Sequence, residues 1–515
     1  MHIDMSALEK PVRISKNIIF SYINQVSALI TALLLVPVFT RLLGQRVYGE
    51  WLVISAVVSN LYLASSGFDQ TLVNSIAEAK AADERSKIAT TVSTILFLHA
   101  ALACLLIVAF ALLAPELCRL FVSRDDTSAA SALFALGALT ALALPFRTHL
   151  MLLRGLGRVY EEQRIATWIN VGRIMAIPTV LFCGLRLFAV SVVYGCTALC
   201  GGVVAYLRAR SLSEEARPHL SIVSFHSFRL LLKPSLAFAL LQVAGRVGFG
   251  IDTLVIGYVM GPAHVTRYAV SYCMMLVGIA VYSTLTTALL PTITAMYADN
   301  DDTGVRRALS VLVRIALLYA GAASIALWIG GRCLLVWWAG AGIYPGDRAF
   351  ELMIFLLVIQ IVIEPPWMLL VATTQHYRTA AIHTIESVLN FALSLWWVRR
   401  WGLSGVIAGT VVARIATTGW YVPIAAAWIM GVHFSDIRMI LAAQVLVPAS
   451  TGALVLLLLA IRSSLFPALP VPVTAGFATA VFAVAFTYVI FNRDERKAAL
   501  DRVYVLLQRR QWNII

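Results

Sequence analysis

The chain has 515 residues, 60% of them hydrophobic and only 13% charged, and its mean hydropathy is +0.85. An ordinary soluble domain is about 25% charged, so a water-soluble fold is excluded and the solvent must be lipid. A net charge of +14 would suggest nucleic acid in a soluble protein; a membrane protein instead keeps its excess Lys and Arg in cytoplasmic loops, and no nucleic-acid partner is expected.

In chain order, the first apolar run is Val26–Thr40. It is too long for a signal-peptide core and lacks a small-residue cleavage site, so it reads as a retained helix. A span needs about 20 mostly apolar residues. Fourteen segments qualify: 17–40, 48–68, 88–114, 128–152, 163–184, 187–207, 231–259, 265–290, 306–330, 349–372, 379–398, 402–430, 437–461 and 470–491. All are too long for membrane strands, so the expected fold is an all-α integral membrane protein. Between spans six and seven, Arg208–Phe228 is polar and reads as a cytoplasmic linker. Arg332–Gly346, with Trp337 and Trp338, is too interrupted to span and reads as an outer interfacial piece.

Alternate loops carry 25 and 11 Lys and Arg side chains, the larger number on the side of both termini. Both ends are therefore expected in the cytoplasm. The seven cysteines mostly fall inside apolar runs. Cys196 and Cys200 are one helical turn apart, without histidine or further cysteine, and read as packing residues.

A shift of 217 residues superposes the two halves without a gap. Lys16 falls on Lys233, Gln25 on Gln242, Gly44 on Gly261, Trp51 on Tyr268 and Tyr160 on Tyr377. Six spans per half is an even number, so both copies point the same way: a parallel repeat, as in transporters whose lobes alternate access to a midplane site. The expected organisation is an N-terminal lobe over 1–207, a linker over 208–230, a C-terminal lobe over 231–430, and two added helices with a basic cytoplasmic tail over 431–515.

The motifs PVFTRLLGQRVYGEWLV (Pro37–Val53) and GFDQTLVNSIAEAKA (Gly67–Ala81), with the later VIGYVMGPAHVTRYAV (Val255–Val270) and WGLSGVIAGTVVARI (Trp401–Ile415), resemble those of Wzx-type polysaccharide flippases. These form a branch of the multidrug/oligosaccharidyl-lipid/polysaccharide exporter superfamily. The resemblance implies a 6+6 bundle with two added helices in a bacterial inner membrane. It also implies flipping of an undecaprenyl-diphosphate-linked oligosaccharide from the cytoplasmic to the periplasmic leaflet, alongside polysaccharide polymerase and chain-length machinery.

Ionisable groups inside spans are costly and usually functional. The clearest are Arg147, Arg173, Arg246, Asp252, Glu364, Glu386 and Arg414, with Asp69 and Arg267 nearer span ends and His99 and His383 as further titrating groups. A diphosphate head group suits the planar fork of arginine, so Arg147, Arg173, Arg246 and Arg414 are the candidate substrate-binding residues. Arg147 and Glu364 are equivalent in the repeat and each lies beside proline, Pro145 or Pro365–Pro366; a contact between them is one expectation, separate exposure of each the other. No GxxxxGK[ST] loop occurs, and no cofactor is expected. Proton or sodium motive force through Asp252, Glu364 or Glu386 is the candidate energy source.

Three alternatives stand beside this reading. A multidrug antiporter of the same superfamily would commonly carry an acidic residue early in the N-terminal lobe, and span one has none. A lipid II flippase shares nearly the same chemistry. A membrane polymerase or ligase would need a sizeable outer domain and a nucleophile–base cluster, and the sequence offers neither.

Overall fold

A chain in hydrocarbon must satisfy its own backbone, and helices do so within one segment. The computed structural model describes residues 5–122, 127–213, 217, 223, 225–373, 379–431 and 470–490, and among them there is no strand. In order the helices are α1 (Met5–Leu42), α2 (Gly44–Leu61), α3 (Leu63–Ala81), α4 (Arg85–Phe121), α5 (Thr127–Gly155), α6 (Val159–Phe182), α7 (Leu187–Leu212) and α8 (Phe225–Met260). There follow α9 (Pro262–Ala298), α10 (Asp302–Ala339), α11 (Asp347–Ala372), α12 (Ala380–Trp401), α13 (Leu403–Ala416), α14 (Thr418–Met430) and α15 (Val471–Ile490).

Eight described helices are individually long and apolar enough to cross a membrane: α1 from Ser15, α4, α5, α6, α7, α9, α10 and α11. The pair α2–α3, bent by 51°, is long and apolar enough when its two helices are taken together. The chain is thus a multi-pass membrane protein. The expected spans at 231–259, 379–398, 402–430 and 470–491 fall on α8, α12, the α13–α14 pair and α15; the one at 437–461 lies outside the described residues. One expectation is corrected. Residues 332–339 are not broken from the preceding span but form the last two turns of α10, which runs unbroken to Ala339 before a single 3-10 turn at Ala341–Ile343. Within α10 Gly331 receives the ring of Phe350 where a Cβ would sit.

The duplication is visible in the turns. Gly44 and Gly261 both adopt positive φ, +80° and +87°, which glycine enters without a Cβ clash. Asp83 and Asn300, again 217 residues apart, are among the described residues the two non-glycine ones with positive φ, 54° and 56°. Around Asp83 the Glu84 amide donates to the Ala79 carbonyl and the Asp83 amide to Lys80. Around Asn300 the Asp301 amide donates to Met296 and the Asn300 amide to Tyr297. Both are the same helix-ending motif, with Asp or Asn in the left-handed position that usually takes glycine. Helix ends follow the shift too: α3 ends at Ala81 and α9 at Ala298.

The chain packs as two compact units. The first comprises Met1–Cys273, Trp338–Pro345 and His383–Gly409; the second comprises Met274–Trp337, Gly346–Ile382 and Thr410–Ile515. The first is centred on Leu72, Ile76, Val92, Ile95, Leu152 and Leu153 of α3, α4 and α5. Within it α3 lies so close to α8 that a Cβ on Gly67 would stand 2.1 Å from the Ser235 carbonyl oxygen, the small-residue contact that membrane helices favour. In the second, α10 packs on α15 through Ile325, Ile329, Ala475 and Phe482. Large apolar side chains such as Leu112, Trp168, Phe182 and Trp428 point outward. Such a surface is a liability in water and ordinary in lipid.

Candidate functional site

The intramembrane charges settle into local clusters. The first joins α3, α4 and α5. Pro145 removes a backbone donor from α5 one half-turn before Arg147. The Arg147 Nε–H donates to Asp69 Oδ2 at 2.6 Å. The Asp69 side chain is only 7% exposed, whereas that of Arg147 is 44% exposed, so the guanidinium bridges a buried carboxylate and an accessible surface. Asp69 Oδ1 faces His99 Nε2 at 3.8 Å, and His99 Nδ1 lies 2.9 Å from Thr148 Oγ1.

The repeat places a different pair at the same position. Thr286 Oγ1 donates to Glu364 Oε1 at 3.4 Å, with Pro365 and Pro366 following in α11. Sequence spacing places Thr286 on Asp69 and Glu364 on Arg147. One half thus has an arginine–aspartate pair where the other has a glutamate–threonine pair.

Asp252 of α8 is buried at 1% exposure. Tyr268 Oη donates to its Oδ2 at 3.0 Å, and Asn390 Nδ2 to its Oδ1 at 3.2 Å. Ser394 Oγ lies 3.5 Å from Oδ1 and 3.2 Å from the Val406 carbonyl oxygen. Four helices, α8, α9, α12 and α13, therefore converge on one oxygen-rich point. Glu386, one turn before Asn390, is buried, and His383 Nδ1 lies 3.9 Å from its Oε2.

Arg173 of α6 donates from Nε to Thr197 Oγ1 at 3.1 Å and stacks over the Tyr194 ring at 4.4 Å. Arg414 of α13 is buried and donates to Gln360 of α11. The Arg246 side chain lies outside the described residues. Of the sequence candidates, then, Arg147 remains substantially accessible, Arg173 is half-buried, and Arg414 is enclosed. Among the described residues no group of three or more His, Cys, Asp or Glu side chains is placed to hold a metal ion.

Sequence reasoning missed the partners. Asp69 was read as a span-end residue, and Asn390 and Ser394 went unnoticed in a run of apolar neighbours. It also missed a polar seam between α1 and α6. There Asn24 Nδ2 donates to Gln163 Oε1 at 2.7 Å, Asn170 Nδ2 to Ser27 Oγ at 3.0 Å, and Asn17 Nδ2 to the Gly157 carbonyl at 3.2 Å. The signal was present: the polar residues Asn17, Asn24 and Ser27 recur at sevens and threes along one face of α1.

Comparison with known proteins agrees with this architecture. No curated protein matches the sequence. A lipid II flippase, MurJ, in its inward closed conformation is similar with a TM-score of 0.69 at 12% identity, over 92% of this chain and 98% of that one. An inward-facing multidrug resistance MATE family transporter of the MOP superfamily gives 0.61 at 15% identity, over 82% and 95%. A MOP superfamily transporter from Pyrococcus furiosus gives 0.50 at 15% identity, over 84% and 94%. At such identities the likeness is one of fold. The family model described as polysaccharide biosynthesis protein matches residues 14–297, more than half of the chain, and the chain belongs to that family.

Proposed function

We propose that this protein is a flippase for lipid-linked oligosaccharides. It carries undecaprenyl-diphosphate-linked repeat units from the cytoplasmic to the periplasmic leaflet of a bacterial inner membrane by alternating access, and performs no covalent chemistry. The observation that carries the reading is Arg147: an accessible guanidinium held inside the membrane by a buried carboxylate, in a chain of the polysaccharide biosynthesis family. An arginine fork matches a diphosphate, and a half-exposed one is able to exchange its carboxylate for a phosphate. Arg173, Arg246 and Arg414 complete the proposed cationic set. Lobes over 1–207 and 231–430, both termini in the cytoplasm, and cooperation with a polymerase and chain-length machinery belong to the same proposal.

For energy coupling the reading favours Asp252. Its carboxylate, the Asn390 amide, the Ser394 and Tyr268 hydroxyls and the Val406 carbonyl offer oxygen ligands of the kind a hard monovalent cation takes. Glu364 and Glu386 are the further candidates for coupling or gating.

Reconstitution tests this. Vesicles containing the protein and a labelled undecaprenyl-diphosphate oligosaccharide should expose the glycan on the opposite leaflet, measured by accessibility to an added glycosidase. Transport of lipid II alone would replace the reading with a peptidoglycan-precursor flippase. Glycan transfer without leaflet exchange would replace it with a polymerase or ligase.

A further inference from the structure

His99 has no part in the head-group reading, yet it is the most enclosed member of the Arg147 cluster, with a fully buried side chain. Its Nδ1 is 2.9 Å from Thr148 Oγ1. Its Nε2 and the facing Asp69 Oδ1 are both shut away from solvent without a hydrogen-bond partner, 3.8 Å apart. With Nδ1–H donating to Thr148, Nε2 presents a lone pair to a carboxylate oxygen. Two acceptors that face each other stand apart, as these do. One proton on Nε2 would convert the gap into a charge-assisted hydrogen bond of about 2.7–2.9 Å.

We propose that Asp69 and His99 form a proton-binding site coupled to anion binding at Arg147. The inference rests on the reading of Arg147 as a head-group residue. When the guanidinium turns from Asp69 to an incoming diphosphate, the buried carboxylate loses its counter-charge, which is costly in a dry site. A proton from the medium then binds His99 Nε2, and the imidazolium replaces the guanidinium beside Asp69. Charge balances at each stage: Arg147⁺ with Asp69⁻ and neutral His99 before, Arg147⁺ with phosphate and Asp69⁻ with His99⁺ after.

The neighbouring titratable groups are engaged elsewhere: on α5 the buried His149 lies edge-on to the Tyr206 ring at 4.9 Å. On α5, Arg154 also acts on Asp69 through space but is forked to Glu162 at 2.7 and 2.5 Å. On α2, Arg46 and Glu50 pair with each other. On α3 itself, Lys80 donates to the Leu156 carbonyl at the helix end. On α8, Arg229 and Lys233 are exposed and Asp252 belongs to its own network; the Arg246 side chain is outside the described residues. The second half has Thr286, Ala316 and Glu364 at the positions of Asp69, His99 and Arg147, so the device belongs to one half only.

Reciprocal linkage follows: protons favour anion binding and anions favour proton binding. The test is calorimetric titration of the full chain in detergent with farnesyl diphosphate as probe, in two buffers of different ionisation heat. Wild type should take up close to one proton per diphosphate bound, beyond what the probe itself takes up. His99→Gln should still bind but lose at least fivefold of that uptake. Asp69→Asn should lose it likewise and bind the probe more tightly, and it carries the test if His99→Gln does not fold. Wild-type binding without proton uptake, or undiminished uptake by both variants, overturns the proposal and leaves the head-group reading standing. Failure of the wild type to bind the probe overturns both.

Discussion

Arg147 and Asp69 form an ion pair across 78 residues of chain, and Glu364 and Thr286 form a hydrogen bond across the same 78 residues at the equivalent place in the repeat. The two contacts occupy equivalent positions and differ in charge. The two halves of the repeat thus carry different chemistry at the same place.

The exposures within the pair predict an asymmetry. Arg147→Ala strands a carboxylate whose side chain is 7% exposed, whereas Asp69→Asn releases a guanidinium that is already 44% exposed. Removing one partner of a buried pair is the costly event. Arg147→Ala should therefore destabilise the protein by about 1–3 kcal/mol and Asp69→Asn by less, read as thermal unfolding in detergent. The double variant should recover most of the loss; equal losses for both single variants would count against the pair as described.

The Asp252 network predicts separable effects. Tyr268→Phe removes one donor to a carboxylate that keeps Asn390, and hydrogen bonds between membrane helices average about 0.6 kcal/mol. Stability should fall by about that much. Asp252→Asn removes the charge, and vesicle transport should lose its dependence on sodium while Tyr268→Phe retains it. Sodium dependence that survives Asp252→Asn would move the coupling site to Glu364 or Glu386.

The turn between α9 and α10 predicts a pH dependence outside the membrane. Asp301 accepts from the Gly304 amide and the Thr303 hydroxyl, both at 2.9 Å, and these bonds hold its carboxyl below the ordinary carboxylate range. A depressed folded-state value means that stabilisation is present above the unfolded value of about 3.9 and is lost as pH falls through the folded one. Asp301→Ala should melt below wild type at pH 7, and the difference should shrink as pH is lowered from about 5 towards 3. A constant difference would show that the charge plays no part.

How much of this was legible beforehand differs by level. Spans were legible because hydropathy over about 20 residues is a coarse signal that packing does not override. The repeat was legible at Gly44 and Gly261, where backbone conformation dictates the residue type, and the structure added the less obvious match of Asp83 with Asn300. Partners were not legible. Whether Arg147 meets Asp69 depends on the rotation of α3 and α5 about their axes, and an apolar sequence in lipid carries little amphipathic pattern to fix that phase. The length of α10 was misread because Arg332 interrupts the apolar run, and one charge does not stop a helix whose backbone bonds are internal.

The α1–α2 and α8–α9 turns predict a conformational step. Gln45, after the positive-φ Gly44, donates from Nε2 to the Ala263 carbonyl at 2.9 Å and accepts from Thr266 Oγ1 at 2.7 Å. Beside it a Cβ on Gly49 would come within 1.8 Å of the Pro262 oxygen. The first-half turn is thus seated on its own repeat equivalent. Under the proposed alternating access a contact of this kind parts once in each cycle. In a background lacking the seven cysteines, Gln45→Cys with Ala263→Cys, joined by a short dithiol-reactive linker, should abolish transport in vesicles, and a reducible linker should restore it on reduction. Gly49→Leu, which pries the turns apart without a covalent bond, should lower stability by about 1–3 kcal/mol. Full transport by the linked protein would mean that the seated turns are a fixed hinge and that the moving contact lies elsewhere.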